Sequence, residues 1–556
     1  MQRPGPWLSR IALMTLTVLG LSGCGGGGGG GDGLSLRLNT SRIAFTSAAY
    51  QLDAPATQTI TGTLSGSTSG TVYILIEVAG SGYTVSDVSI AGDTGSIQVI
   101  PTAPPTLGVG RYTGTITVTA CLNDPTCQSR RIRGTPATVE VEYEILSTVK
   151  SATVSPYVVP TAGGETVILR HPNLAGVESV TIGGTPATYE IVSTTELRVG
   201  TPALAAGEHT ILVDVGVAAL PFRLVAVAPL GAPTQTLAWP FGGPVHLIDT
   251  SLYDAERRAL LVLAWNEGPA VTSLIRYAWN GSSWSAPTMS PVNDIRDIAL
   301  SPDGSRILAI TYNNVVELDP VSLTTIRSSL IPPTTGGYWY DEFHQLAIAN
   351  DNLAVITSRV INGIHSRMYI YQIGEPGVQR FIETYAGTNA YASPDGSFVI
   401  GGAYLFPGPY RYEASSGIFR TGPPVYSGFP STKPSLDTHA TRMLAGPGLQ
   451  AIDGALLGTL PNTLSTGMLT RDGQRIYTYD YGSGDFQVYD ASAPNGGALP
   501  AMGAPLQLTP GNIIYSTSDM AMTPAGDVAF VVEARGIHVV PINASAAAGY
   551  VMYRRL

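Results

Sequence analysis

The feature that most restricts how this chain folds is a repeat in its second half. Ile298-Ala299-Leu300-Ser301-Pro302-Asp303-Gly304-Ser305-Arg306-Ile307-Leu308-Ala309-Ile310 leads on to Val315-Val316-Glu317-Leu318. Met468-Leu469-Thr470-Arg471-Asp472-Gly473-Gln474-Arg475-Ile476-Tyr477 leads on to Phe486-Gln487-Val488-Tyr489, and Met522-Thr523-Pro524-Ala525-Gly526-Asp527-Val528-Ala529-Phe530-Val531 to Ile537-His538-Val539-Val540. Each reads as strand, tight turn, strand, short turn, strand. Ser-Pro-Asp-Gly suits the tight turn, because proline presets φ at the second position and glycine ends the turn. Weaker copies surround Asp254, Asp341, Ser393-Pro394-Asp395-Gly396 and Asp437. With Asp254, Asp303, Asp341, Asp395, Asp437, Asp472 and Gly526 as markers, the spacings are about 49, 38, 54, 42, 35 and 54 residues, which bracket a four-stranded unit. Such a unit cannot bury its own face, so about seven of them must pack on one another.

On these residues, 229–556 resembles a seven-bladed β-propeller of the Ser-Pro-Asp-Gly kind found in WD40-like and YVTN-type surface-layer repeat proteins. Enzymes built on that fold gather ligands or acid–base groups at the channel mouth. The histidines here, His246, His344, His365, His439 and His538, are spread over separate repeats, and those in the turn repeats, His344 and His439, read as peripheral. Asp480 and Asp485 flank a Tyr-Gly-Ser-Gly run that lacks the full spacing of a calcium loop, so a solvated turn is expected. There is no Gly-rich phosphate loop, no Gly-x-Ser-x-Gly elbow and no His-Glu-x-x-His. No catalytic residue, metal ligand or cofactor is assigned. Trp239, Trp265, Trp279, Trp284 and Trp339 fall within one stretch. They are read first as packing between blades, and otherwise as flat rings for a sugar or protein partner.

Upstream, Val154-Ser155-Pro156, Thr161-Ala162-Gly163-Gly164-Glu165-Thr166-Val167, Val180-Thr181-Ile182-Gly183-Gly184-Thr185-Pro186-Ala187, Thr201-Pro202-Ala203 and Ala206-Gly207-Glu208-His209-Thr210 follow in order over 149–228. The succession resembles the IPT/TIG module, an immunoglobulin-like fold that in bacterial surface proteins serves as spacer or binding platform. Both glycine pairs suit turns that need positive φ. His171 and His209 are too isolated for a metal site. Over 35–148, short runs with period-two patterning, such as Val72-Tyr73-Ile74-Leu75-Ile76-Glu77-Val78 and Ala137-Thr138-Val139-Glu140-Val141-Glu142-Tyr143, imply another β-sandwich of immunoglobulin-like pattern. Arg130, Arg131 and Arg133 read there as a solvated loop face. The fold class expected is all-β: two immunoglobulin-like sandwiches followed by a seven-bladed propeller. Charged residues at only 13%, with 64 glycines and 41 prolines, agree with short strands and turns.

The chain starts with Arg3 and Arg10, an apolar run over 11–21, then Ser22, Gly23 and Cys24, and glycine throughout 25–31. Charged, apolar and small-residue segments in that order are those of an export signal. Leu21-Ser22-Gly23-Cys24 resembles the bacterial lipoprotein box, which implies cleavage before Cys24 and acylation of its thiol. Residues 1–23 are then the signal peptide and 24–34 a lipidated, glycine-rich tether. Gly25 rather than aspartate follows the cysteine, which by the Gram-negative sorting rule implies delivery to the outer membrane. Several acyl chains, at about 0.8 kcal/mol per buried methylene, anchor permanently. Cys121 and Cys127 remain to pair as a disulfide. Their spacing fits neither a metal knuckle nor a redox motif. The net charge of −10 argues against nucleic acid as a partner.

Two functions follow as expectations. The first is a membrane-anchored, exported binding or scaffolding lipoprotein whose propeller presents a face to an envelope protein or glycan. The alternative is an exported propeller enzyme: a hydrolase, a lyase or a quinoprotein-like oxidoreductase.

Overall fold

A computed structural model describes residues 12–16, 33–48, 51, 53–66, 70–146, 152–216, 218–241, 245–266, 271–332, 341–360, 365–385, 389–402, 410–421, 434–438, 441–461, 466–480, 482–508 and 519–542. Cys24, the glycine tether, Trp339 and His439 lie outside these residues. The described residues are all-β apart from one helical turn, Pro104–Leu107. Residues Met1–Thr148 with Ser416–Phe419 form one compact unit, and Val149–Ser415 with Arg420–Leu556 form another.

The first unit contains a sandwich. One sheet runs in the order Ala12–Leu16, Val72–Gly80, Gly110–Leu122, Ala137–Leu146, Arg42–Ala48, and the other Ser35–Leu38, Gln58–Ser65, Thr94–Pro101, Tyr83–Val85. The period-two pattern sorts side chains between the faces: Ile43 and Phe45 point inward from one edge strand, and Val139, Val141 and Tyr143 from its neighbour. Ala12–Leu16, from the apolar run of the expected signal, lies antiparallel along Val72–Ile76. Cys121 and Cys127 are joined by a disulfide that closes the Asn123–Thr126 turn. Within it, Asp124 accepts hydrogen bonds from the Thr126 and Ser129 amides at 3.0 and 2.6 Å, which holds its carboxyl well below the usual range.

The second unit begins with another sandwich. Its sheets run Thr153–Ser155, Thr166–Arg170, Glu196–Gly200, Tyr189–Ser193 and Val158–Pro160, Ala219–Val227, Gly207–Asp214, Ser179–Ile182, Thr185–Pro186. Gly183 and Gly184 have φ of +57° and +83° in the hairpin joining Ile182 to Thr185, as their pairing implied.

From Gln235 to Pro541 the described residues form seven four-stranded antiparallel sheets. The inner strands are Val245–Asp254, Asp297–Leu300, Asp341–Ile348, Asn389–Ala392, Ser435–Leu436, Thr466–Leu469 and Asp519–Met522. Inner strands of neighbouring sheets touch at six seams, Tyr391 and Leu436 share a core cluster across the seventh, and Val245–Asp254 meets Asp519–Met522, which closes the ring of a β-propeller. Gln235–Leu237 pairs with Ile537–Val539, so the last sheet is completed by chain from before the first. Inner strands of adjacent sheets share no ladder, and side chains bridge the seam instead. Asp297 accepts from the Leu346 amide at 2.7 Å, Gln345 from Ala390 at 2.8 Å, Ser435 from Leu469 at 3.0 Å, and Asp519 from Ser251 at 2.5 Å. These amides would otherwise be left unbonded in the interior.

One marker of the repeat is corrected. Asp341 begins an inner strand, and the turn of that sheet is Ala349–Asn352, where Asn352 has φ +67°. Tyr340-Asp341-Glu342-Phe343-His344 has neither proline nor glycine, whereas Asn-Asp-Asn tolerates the left-handed region.

Candidate functional site

Four turns repeat one geometry. In each, the fourth residue donates to the first carbonyl: Gly304 to Ser301 at 2.9 Å, Gly396 to Ser393 at 2.8 Å, Gly473 to Thr470 at 2.9 Å, and Gly526 to Thr523 at 2.9 Å. All four glycines have φ between +64° and +67°. The leading hydroxyl donates to a turn aspartate: Ser301 to Asp303 at 2.7 Å, Ser393 to Asp395 at 2.6 Å, Thr470 to Asp472 at 2.6 Å, and Thr523 to Asp527 at 2.7 Å. In the last turn Ala525 takes the aspartate's place and the carboxylate moves one residue past the glycine.

These turns stand at the mouth of the ring, and the second sandwich is fastened over them. Arg170 is fully buried. Its Nη2 pairs with Glu196 and its Nε donates to Asn350 Oδ1, while Nη1 donates to the Ala414 carbonyl at 2.5 Å. Thr153 Oγ1 donates to the Asn350 carbonyl at 2.6 Å, and Asn350 Nδ2 to the Asp395 carbonyl at 2.9 Å. Tyr157 lies so close to Gly304 that a Cβ there would come within 1.9 Å of its hydroxyl oxygen. Ala255, Tyr253 and Leu300 of the propeller pack into the apolar core of the sandwich. At the rim, Arg223 pairs with both Glu208 and Glu256.

Between sandwich and turns lies a cavity of about 630 Å³, adjoined by another of about 390 Å³. Tyr253, Pro394, Pro434, Arg471, Met522 and Pro524 line both. Glu165 faces the larger from the sandwich side. The second turn position points into this space: Pro302, Pro394 and Pro524 in three turns, Arg471 in the fourth. Arg471 is half-buried, and its Nη1 is shielded from solvent without a hydrogen-bond partner. Burial pulls its pKa below the ordinary arginine value, and the charge of Glu165 works the other way.

The histidines whose side chains are described, His171, His209 and His538, line neither cavity. His538 lies on the third strand of the last sheet, 2.9 Å from Glu533 and 3.2 Å from Thr236. His171 accepts from the Asn173 amide, and His209 bonds the Ala205 carbonyl. Among the described residues no three His, Cys, Asp or Glu side chains are grouped to hold a metal. Asp480 and Asp485 bond their own turn through Gly482 and Ser483. Trp239 and Trp279 are buried in the core between the first and last sheets, with Trp284 packed against it, as the packing reading expects. Arg170, Asn350 and Arg471 carry no sequence motif. Arg471 alone left a trace, as the charged residue where three other turns have Pro302, Pro394 and Pro524.

Residues 150–223 match the family model of the IPT/TIG domain, so the second sandwich is a domain of that class. No curated protein matches the chain. Similar solved structures include the following three. The Cps50 (Swd1) β-propeller domain from Myceliophthora thermophila has 9% identity and TM-score 0.39, covering 55% of this chain and 99% of its own. Hsv2 from Kluyveromyces marxianus has 10% identity and TM-score 0.38, covering 54% and 94%. A Bacteroides thetaiotaomicron protein of unknown function has 12% identity and TM-score 0.33, covering 70% and 97%. The propeller itself rests on the sheet order and ring closure described above.

Proposed function

We propose that this protein is an exported lipoprotein, acylated at Cys24 and held at the outer membrane. In this reading it is a binding or scaffolding module whose propeller faces an envelope protein or glycan. The observation that carries the binding role is the fastening of the IPT/TIG domain to the propeller through Arg170, Glu196 and Asn350. A mere spacer has no need of a fixed orientation, whereas a platform presenting a composite surface does, because a preorganised surface loses less freedom on binding. The apolar run, the lipoprotein box and the glycine tether support the anchoring half.

The anchoring half is tested by fractionating cells that express the wild-type chain or Cys24→Ala after labelling with radioactive palmitate. Label and membrane association lost together in the variant support it; unlabelled wild type contradicts it. The binding half is tested by photo-crosslinking in intact cells from Leu330 and Val321, exposed on the second sheet's outer strand and the loop before it. A discrete adduct that recurs with one partner is expected. No adduct from either position, nor from exposed Leu456 on the fifth sheet, contradicts the binding reading.

A further inference from the structure

We infer that the cavity between the IPT/TIG domain and the propeller turns is a binding site for a small organic monocarboxylate, with Arg471 as its anion-binding group. The inference needs neither membrane attachment nor an envelope partner, so it stands or falls separately from the reading above.

Three observations converge on it. The first is the break in the repeat. Arg471 takes the position held by Pro302, Pro394 and Pro524, where proline is the favoured turn residue and offers the cavity only an apolar surface. Nothing in the turn requires the arginine, since the Thr470, Asp472 and Gly473 bonds match those of the other turns. The second is the state of the guanidinium. Arg471 makes no ion pair among the described residues, and its Nη1 is shielded from solvent without a hydrogen-bond partner. An arginine stays charged under all ordinary conditions, and a half-buried charge that Glu165 balances only from a distance, without an ion pair, is costly. An anion in the cavity removes that cost. The third is the space itself, about 630 Å³, lined by Leu436, Met468, Met522 and Pro524 as well as by Arg471. That is the size of a small-molecule site, and the apolar patch of Leu436, Met468 and Met522 sits among polar groups such as Ser251, Thr470 and Tyr477.

The walls narrow the ligand class. Met and Leu surfaces fit a short hydrocarbon body, and methionine adapts to irregular shapes. The planar fork of Arg471 matches the two oxygens of a carboxylate. Glu165 and Asp472 face the same cavity as Arg471 and Arg475, so the two acids offset the two arginines and a monoanion is favoured over a dianion such as phosphate.

The test is calorimetric titration of the purified full chain with hexanoate, hexanamide and inorganic phosphate. Saturable hexanoate binding is expected, with hexanamide and phosphate at least about tenfold weaker, as loss of a charged hydrogen bond implies. Arg471→Pro restores the residue of the sister turns and keeps the fold; it is expected to weaken hexanoate about tenfold or more. Arg471→Gln serves as the second variant, with its thermal melt as the folding control. Glu165→Gln is expected to narrow the preference for hexanoate over phosphate. Absence of hexanoate binding, equal binding of hexanamide, preference for phosphate, or hexanoate affinity unchanged in folded Arg471→Pro each overturns the proposal.

Discussion

Gly304 and Gly526 hold the same place in their turns, with φ of +67° and +66°, but their surroundings differ. A Cβ on Gly526 meets open space, whereas one on Gly304 collides with the Tyr157 ring and hydroxyl. Gly526→Ala should therefore cost only the left-handed backbone penalty, about 1–2 kcal/mol. Gly304→Ala should cost more, because Tyr157 must move as well. Urea unfolding of the two variants checks the difference, and equal costs would mean Tyr157 is not seated on the turn. At Asp303, partial burial opposes the charge, but hydrogen bonds from Ser301 and Ser305 outweigh it and hold the carboxyl below its usual value. Its contribution is present above the unfolded carboxylate range and is lost as pH falls through the lower folded value. Since the side chain is exposed, screening keeps the effect below about 1 kcal/mol. The stability gap between wild type and Asp303→Ala should therefore shrink on acidification, as melts at stepped pH would show; a gap that widens would contradict it. These turn residues were legible in the sequence because their chemistry is local: hydroxyl, carboxylate and glycine satisfy one another within a few residues.

Elements whose partners are distant were not legible. Gln235–Leu237 completes a sheet whose other strands start at Asp519, and three residues of weak pattern carry no sign of that. Ala12–Leu16 reads as a signal by composition and lies along a strand edge by pairing; an apolar run serves both readings. The Asp341 marker failed for a related reason, since it was placed by spacing where turn chemistry was missing. By contrast, the Cys121–Cys127 disulfide was legible, because two cysteines bracketed Asn123-Asp124-Pro125 just past a clear strand. On the chain-entropy model this short loop contributes roughly 2 kcal/mol. Reduction should lower the melting transition of the first unit while leaving that of the second in place, which calorimetry with and without reductant resolves. A shift of the second transition instead would contradict the division of the chain.

At the scale of the whole second unit, the IPT/TIG domain and the propeller were each foreseeable from motifs, but their attachment was not. It depends on Arg170, whose neighbours His171 and Pro172 give no signal, and on Glu196, Asn350 and the Ala414 carbonyl, far apart in sequence. A buried ion pair adds little net stability, yet removing one partner strands the other charge at a cost of about 3–5 kcal/mol. Arg170→Met should therefore destabilise the unit by that order in urea, and Arg170→Met with Glu196→Gln should recover part of the loss. A double variant no better than the single would show that Glu196 is not the stranded partner.

The fixed seating of the IPT/TIG domain on the propeller is measured most directly by the distance distribution between two spin labels, one at exposed Thr185 and one at exposed Val321. A single narrow distribution in the intact chain, broadened by Arg170→Met, is the predicted result. A broad distribution in the intact chain would mean that the two domains move independently, and that the composite surface and the cavity beneath it do not exist as a stable site.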